Sequence, residues 1–404
     1  MKPTAKRLKG VSPSGIRKFF DMARAYPDVI SLGAGEPDFT TPQHIIDAGI
    51  DALRKGFTHY TGNLGDLDLR NAIAEKLRNE NQLDYAPNEV LVTAGSSEAL
   101  GIVLQAIINP GEEVLLPDPS YVAYEPAVRL AAGIPAFVPT TERNGWIPGL
   151  TAVTRKITDR TKALIILSPS NPTGAMYPKN TINELAELAI KHDLFVVSDE
   201  IYERIVYEGS AHTSIASIEG MRERTFVING FSKAYAMTGW RVGYVACPSN
   251  LIDEILKIHQ YCTICAPAAS QRAAHAALTG PQDCIRGMVS EYDRRRRMIV
   301  SELNKIEGVS CQKPSGTFYT FPNVKKLMAE KGKAMRNYLA RQGKVPESVS
   351  EQMMDYLFKS VHVVSVGGNF FGPSGEGHMR MSFATAYEKI QEAVARMKEA
   401  MSRL

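Results

Sequence analysis

A lysine that acts as a nucleophile must lose its proton near neutral pH, so its surroundings have to depress its pKa. Lys233 has such surroundings. The run Asn229-Gly-Phe-Ser-Lys-Ala-Tyr-Ala-Met237 carries no other charge, follows the β-rich stretch Thr225–Ile228, and leads into Thr238-Gly-Trp-Arg241. Apolar walls and a fixed cation such as Arg241 both disfavour an ammonium ion. A surface lysine at a strand end is the ordinary alternative, and it leaves Arg241 beside Gly239 and Trp240 unexplained.

Other groups stand where chemistry is possible. Val92-Thr-Ala-Gly95-Ser96-Ser97-Glu98 is a strand, a glycine turn and a helix start. Free amides and the helix dipole make such a start receptive to anions, although most such turns only cap a helix. Asp199 ends the apolar run Leu194–Ser198, where an acid commonly caps the next helix. Arg380 interrupts an apolar run, His378–Phe383, and a cation there is costly unless paired. Asn171-Pro-Thr-Gly174 alone signifies a turn. Gly33-Ala-Gly35 hints at a dinucleotide loop, but Asp38 breaks G-x-G-x-x-G and no βαβ context comes after it.

The elements that position these groups alternate. Val90–Thr93, Glu113–Leu116, Lys162–Leu167, Leu194–Ser198, Thr225–Ile228 and Val242–Ala246 read as strands, with helices over Glu98–Ile108 and Ile182–Lys191. That alternation implies an α/β fold with a large, doubly wound, mostly parallel sheet, whose sites lie beyond the carboxyl ends of the strands. After Gly280 a long charged helix leads to Val309–Phe321, a further helical stretch, Val361–Val366 and His378–Phe383, which reads as a smaller α+β domain. The expected division is 1–45, packing with the small domain, then 46–280 as the large domain and 281–404 as the small one. Thr41-Pro42 marks the first helix start of the large domain.

Composition narrows the function classes. The 404 residues carry a net charge of +4 and are 44% hydrophobic, enough for a sizeable core. The densest basic run, Arg294–Arg297, follows Glu291 and Asp293 and reads as a solvated helix face, so no nucleic-acid partner is expected. Five cysteines are too few and too odd for a disulfide framework and suit a reducing compartment. Cys262-Thr-Ile-Cys265 has no second pair, so no metal is expected. Met1–Gly10 lacks the apolar core of a signal peptide, and no apolar run approaches the roughly 20 residues of a membrane span. A cytoplasmic protein is the expectation.

Taken together these motifs carry a resemblance. Ser232-Lys233 through Met237-Thr-Gly-Trp-Arg241-Val-Gly-Tyr244 resembles the lysine signature of class I/II aminotransferases, fold-type I enzymes that use pyridoxal 5'-phosphate. Asp199-Glu-Ile-Tyr202, Asn171-Pro-Thr-Gly174, His59-Tyr60-Thr-Gly-Asn-Leu-Gly65 with Leu69-Arg70, and Leu32-Gly-Ala-Gly35-Glu-Pro-Asp-Phe39 stand in the family's order over nearly the whole chain. The resemblance is nearest to the aspartate/aromatic branch, archaeal type. It implies that Lys233 carries the cofactor, Asp199 pairs with its ring nitrogen, and Tyr202 and Asn171 bond its ring oxygen. Ser96, Ser97 and Arg241 would hold the phosphate and Tyr121 would stack on the ring. Tyr60 would reach the phosphate of a second subunit, which makes a homodimer with shared sites. Arg380, with Asn171 and Gly35, would take the substrate α-carboxylate. Glu200 is expected to be structural. One departure is Gly230, where relatives carry a phosphate-binding serine; Ser232 is adjacent to Lys233.

The implied activity is transamination between an L-amino acid (aspartate, aromatic or other apolar) and a 2-oxo acid, with 2-oxoglutarate and glutamate as the shared pair. A carbon–sulfur lyase or synthase on the same scaffold is the enzymatic rival. A transcription regulator with such a domain would need a DNA-binding module, which forty residues before the first helix do not accommodate. Classical aspartate enzymes of the family read the distal carboxylate with an arginine lent by the partner subunit. The loop expected to carry it here, Tyr261-Cys-Thr-Ile-Cys-Ala-Pro267, has no cation, which favours broad specificity for aromatic or apolar side chains. An acidic side chain would need another reader, with Ser14, Lys18 and Thr263 as candidates.

Overall fold

The structure is a computed structural model and describes all residues except 1, 3, 9 and 12–25. Among the described residues the central sheet has seven strands. Their order is Val90–Thr93, Gly243–Ala246, Thr225–Gly230, Phe195–Asp199, Thr161–Leu167, Glu113–Asp118 and Ile134–Pro139. Gly243–Ala246 is antiparallel to both its neighbours and the other pairings are parallel. Val90–Thr93 and Glu113–Asp118 are buried at every position, as strands covered by helices on both faces must be. The helices Ser96–Ile107 and Lys179–Lys191 return the chain between strands. This is the expected α/β sheet. Ile134–Pro139 is an addition to it; an edge strand tolerates Pro135 and Pro139, which hide its pattern in the sequence.

One edge of the sheet gathers the loops that matter. Gly95, Asn171, Asp199 and Lys233 all lie at or just past the carboxyl ends of their strands. Because Gly243–Ala246 runs the other way, with Gly243 opposite Thr93, Arg241 also falls at that edge. The first long helix, Gln43–Arg54, begins directly after Pro42 as expected.

A second, antiparallel sheet joins Val366–Gly367, Met379–Ser382 and Tyr319–Thr320, with Arg380 on the middle strand opposite Val366. The helices Lys325–Arg341, Val349–Val361 and Tyr387–Ser402 belong to the same part of the chain. Ile30–Ser31 pairs in parallel with Val363–Val364, so the chain just before the cavity segment packs with these later elements.

The basic run on the helix Asp283–Leu303 is not a solvated face. Arg295 and Arg296 are 6% and 1% exposed. Four consecutive residues at about 100° each cannot share one face of a helix, so two of them must turn inward. Arg296 pairs with Asp293, donates to the Pro314 carbonyl at 2.7 Å and lies 4.3 Å over the Tyr207 ring. Only Arg294 and Arg297 reach solvent, as i,i+3 and i,i+4 partners of Glu291 and Asp293.

Candidate active site

The gathered loops enclose a cavity of about 830 Å³. Gly35, Ser96, Ser97, Tyr121, Asn171, Asp199, Tyr202, Lys233, Arg241 and Arg380 all line it. Of the cofactor and substrate residues singled out in the sequence, Tyr60 alone stands apart. It is 78% exposed and lies in a separate surface concavity with His59 and Arg70.

Lys233 is the one lysine among the described residues that line the cavity. Its Nζ donates to the Gly35 carbonyl at 2.6 Å and lies 5.9 Å from the ring centres of both Tyr202 and Phe318. Burial of the amine is the main reason that its pKa falls to about 8, with the Arg380 guanidinium the larger cationic contribution and Arg241 the smaller. The sequence pointed to Arg241 for that effect. The stronger neighbour is nearly 150 residues further along the chain and no local pattern announces it.

Ser96, Ser97 and Arg241 make part of the cavity wall an anion cradle. The helix Ser96–Ile107 starts after Gly95 with no side-chain cap among the described residues, so Ser96 and Ser97 offer amide and hydroxyl donors. Gly95 holds φ +82°, a conformation strained for a residue with a side chain, and a Cβ there would push aside the Arg241 guanidinium, whose Nη2 would be 2.5 Å away. Arg241 itself adopts φ +52°, a conformation that costs a non-glycine residue about 1 kcal/mol or more and that clusters at functional sites. Its Nη1 donates to the Thr238 carbonyl at 3.0 Å. Glu98 braces the turn by accepting from the Ala94 amide, and its Oε1 lies 2.8 Å from His259 Nδ1. Gly230 packs against Gly243, where a Cβ would meet Cα at 3.0 Å, whereas Ser232 lines the cavity.

Asp199, also in the cavity lining, is buried at 7% exposure, and burial raises its pKa to about 6. It accepts from the Tyr124 hydroxyl at 2.8 Å and from the Ile201 amide at 3.2 Å. The amide bond is the capping role an acid at a strand end commonly takes; the tyrosine bond is not. Glu200 points away, accepting from Ser198 and Ser214 at 2.9 and 2.6 Å, with His212 Nε2 at 3.1 Å. Glu200, Glu203 and His212 bring ligand atoms within 4.8 Å of one another, and the Lys76 ammonium already pairs with Glu203 there.

Arg380 closes the third side. It is 4% exposed and has no carboxylate partner among the described residues. Nη1 donates to Asn171 Oδ1 at 3.2 Å and Nη2 to the Gly33 carbonyl at 2.6 Å, while Nε has no partner. The guanidinium lies 4.5 Å over Tyr319 and 4.9 Å over Phe371. Such a buried, unpaired fork suits a planar carboxylate. Gly174, at φ +70°, lets the Asn171 turn approach the Gly316 carbonyl, which a Cβ would meet at 3.0 Å. Tyr121 stands edge-on to Tyr124 with centroids 5.5 Å apart.

Several site residues are not legible in the sequence. Tyr124 bonds Asp199, and Tyr319 Oη lies 3.1 Å from Tyr202 Oη. Each is one tyrosine among sixteen, brought in from a distant element. Thr263 does not line the cavity; its hydroxyl bonds Glu98. Ser14 and Lys18 lie outside the described residues.

An anion cradle, a lysine of depressed pKa and a buried carboxylate, all lining one cavity, fit the phosphate, aldehyde and ring nitrogen of pyridoxal phosphate. Fold and donor set together define a pyridoxal-phosphate enzyme of fold type I. Residues 27–397 match the family model for aminotransferases of class I and II, and the chain belongs to that family. It is 44% identical to an aspartate aminotransferase of Pyrococcus abyssi, over 98% of this chain and 97% of that one. It is 41% identical to aromatic-amino-acid aminotransferase 2 of Thermococcus litoralis, over 98% and 97% respectively. The crystal structure of an aromatic aminotransferase from Pyrococcus horikoshii superposes with a TM-score of 0.86 at 43% identity, covering 95% of this chain and 98% of the other. The chain is thus a pyridoxal-phosphate-dependent aminotransferase. No helix among the described residues is long and apolar enough to cross a membrane.

Proposed function

We propose that this aminotransferase acts broadly on aromatic and other apolar L-amino acids, with 2-oxoglutarate and glutamate as the shared acceptor–donor pair. The observation that carries the proposal is the makeup of the cavity wall. Beyond Lys233, Arg241 and Arg380 its described lining holds no cation, and the remaining wall includes Tyr26, Val29, Ser31 and Val122. Among the described residues of this chain a side-chain carboxylate finds no further cation there, while an aromatic or aliphatic group finds apolar contact. The relatives in Pyrococcus and Thermococcus are named for aspartate and for aromatic substrates at nearly equal identity, so their names do not decide the matter.

In this reading Arg380, Asn171 and Gly35 seat the α-carboxylate and so set the direction of the Cα–H bond. Lys233 would remove the Cα proton as general base and pass it, within the same half of the cycle, to the carbon that carried the aldehyde; the second half would run the transfer in reverse, toward Cα of the 2-oxo acid. Ser96, Ser97 and Arg241 hold the phosphate, Tyr202 and Asn171 hold the ring oxygen, and Tyr121 stacks on the ring. Asp199 keeps the ring nitrogen protonated. The bound cofactor supplies the electron sink for the pair left at Cα. Tyr60 serves the site of a second copy in a homodimer. Residues 46–280 form the cofactor-binding domain and 281–404 the smaller one, with which the N-terminal segment packs through Ile30–Ser31 while Lys6–Leu8 lies against the helix Tyr124–Leu130, in a cytoplasmic enzyme.

Comparing kcat/KM for phenylalanine, alanine, aspartate and glutamate tests the specificity. Phenylalanine is expected at or above aspartate. A preference for aspartate above a thousandfold, about 4 kcal/mol, would mean a dedicated carboxylate reader and sink the proposal. Release of a 2-oxo acid without stoichiometric glutamate would point to lyase chemistry instead.

A further inference from the structure

The segment Leu32–Phe39 runs across the cavity, and two of its carbonyls meet the groups on which turnover depends. Gly33 O accepts from Arg380 and Gly35 O from Lys233, both at 2.6 Å. A segment in that place must be held from outside the cavity. Its beginning is bound to the smaller sheet region: the Leu32 amide donates to Val364 O at 2.8 Å, and the Ser382 amide donates to Leu32 O at 2.6 Å. Ser382 lies on the same strand as Arg380. Its end is held by one charged contact, in which Arg295 Nη1 sits between the two Asp38 oxygens at 2.8 and 2.9 Å. Arg295 is fixed in turn by its Nε on Glu291 Oε1 at 2.8 Å and by the Phe39 and Tyr292 rings, 5.3 and 5.9 Å away. Pro37 stiffens the short link between Asp38 and Gly35.

We propose that Arg295 and Asp38 are positioning residues for carboxylate recognition: their ion pair locks Gly33–Pro37 into the same body as Arg380. The inference rests on Arg380 being the carboxylate reader. Neither residue touches substrate. Their effect is to keep the guanidinium fork and the glycine carbonyls in register, where a displacement near 1 Å costs as much as a hundredfold.

The test uses the cofactor-loaded enzyme and the variants Arg295→Met, Arg295→Lys, Asp38→Asn and Arg380→Lys. The measurements are kcat and KM for L-phenylalanine and 2-oxoglutarate, cofactor affinity, and an absorbance titration with 3-phenylpropionate, a carboxylate that cannot react. In Arg295→Met and Asp38→Asn both KM values and the 3-phenylpropionate dissociation constant should rise roughly tenfold or more, with kcat changed by less than about threefold. Cofactor affinity should stay unchanged, and Arg295→Lys should fall between. Asp38 is partly exposed and its amide is the same size, so Asp38→Asn decides the matter if Arg295→Met does not fold. Unchanged carboxylate binding in either variant, against weakened binding in Arg380→Lys, overturns this inference alone. Cofactor affinity falling in proportion with carboxylate binding would mark a merely structural pair and overturn it too. Unchanged binding in Arg380→Lys overturns the inference together with the reading beneath it.

Discussion

Tyr124 donates its hydroxyl to Asp199 Oδ2 at 2.8 Å, joining two buried side chains that are 75 residues apart. Burial alone would leave Asp199 reluctant to ionise, and its pKa already stands near 6. The phenol opposes that shift. A hydrogen bond to a charged group contributes roughly 1.5–3 kcal/mol, or about one to two pKa units. Tyr124→Phe should therefore weaken cofactor binding about tenfold at pH 7, and by more as the pH falls. Cofactor titrations between pH 6 and 9 check this. Equal affinity of variant and wild type throughout would show that the bond has no hold on Asp199.

The same shift has a cost in stability. Between about pH 4 and 6 the folded protein keeps a proton on Asp199 that the unfolded chain has already released, so stability falls as the pH rises through that window. Two pKa units amount to roughly 3 kcal/mol above pH 6. In cofactor-free protein, Asp199→Asn should raise the thermal midpoint at pH 8 but much less at pH 4.5, while turnover drops by orders of magnitude. Equal effects at both pH values would contradict the burial account.

Lys233 titrates in the opposite sense. Burial and Arg380 lower its pKa to about 8, so the neutral amine, the form that would attach the cofactor, predominates above that pH. The rate of cofactor attachment to the free protein should climb to about pH 8 and then level. In Arg380→Met the plateau should move upward. A rate in the wild type that keeps climbing to about pH 10 would mean an unperturbed lysine.

Tyr60 is exposed on this chain and lies outside its own cavity. If it completes a second copy's site, then mixing inactive Lys233→Ala with an inactive Tyr60 variant should restore part of the activity. Heterodimers would collect both lesions in one site and leave the other intact. No recovery despite proven subunit exchange would rule out shared sites.

Sequence legibility tracks the range of the interaction. The strands after which Gly95, Asn171, Asp199 and Lys233 emerge are readable because their apolar runs are local. So are the turns, where Gly95 and Gly174 hold positive φ that few other residues adopt. Long-range pairs escape: Tyr124 with Asp199, Tyr202 with Tyr319, Arg295 with Asp38. Arg295 runs against its sequence reading outright, because a run of arginines resembles a solvated face until helical geometry turns two of them inward. Which partner a tyrosine or arginine finds depends on packing between distant elements, which no local pattern records.

The most direct test of Lys233 as the cofactor's anchor is to reduce the cofactor-loaded protein with borohydride, digest it and find the labelled residue by mass spectrometry. One phosphopyridoxyl group is expected, on the peptide containing Lys233. That label should be lost when excess phenylalanine is added before reduction, with one equivalent of 2-oxo acid released. A label on another lysine, or a Lys233 label that survives amino acid treatment without 2-oxo acid release, would contradict the assignment.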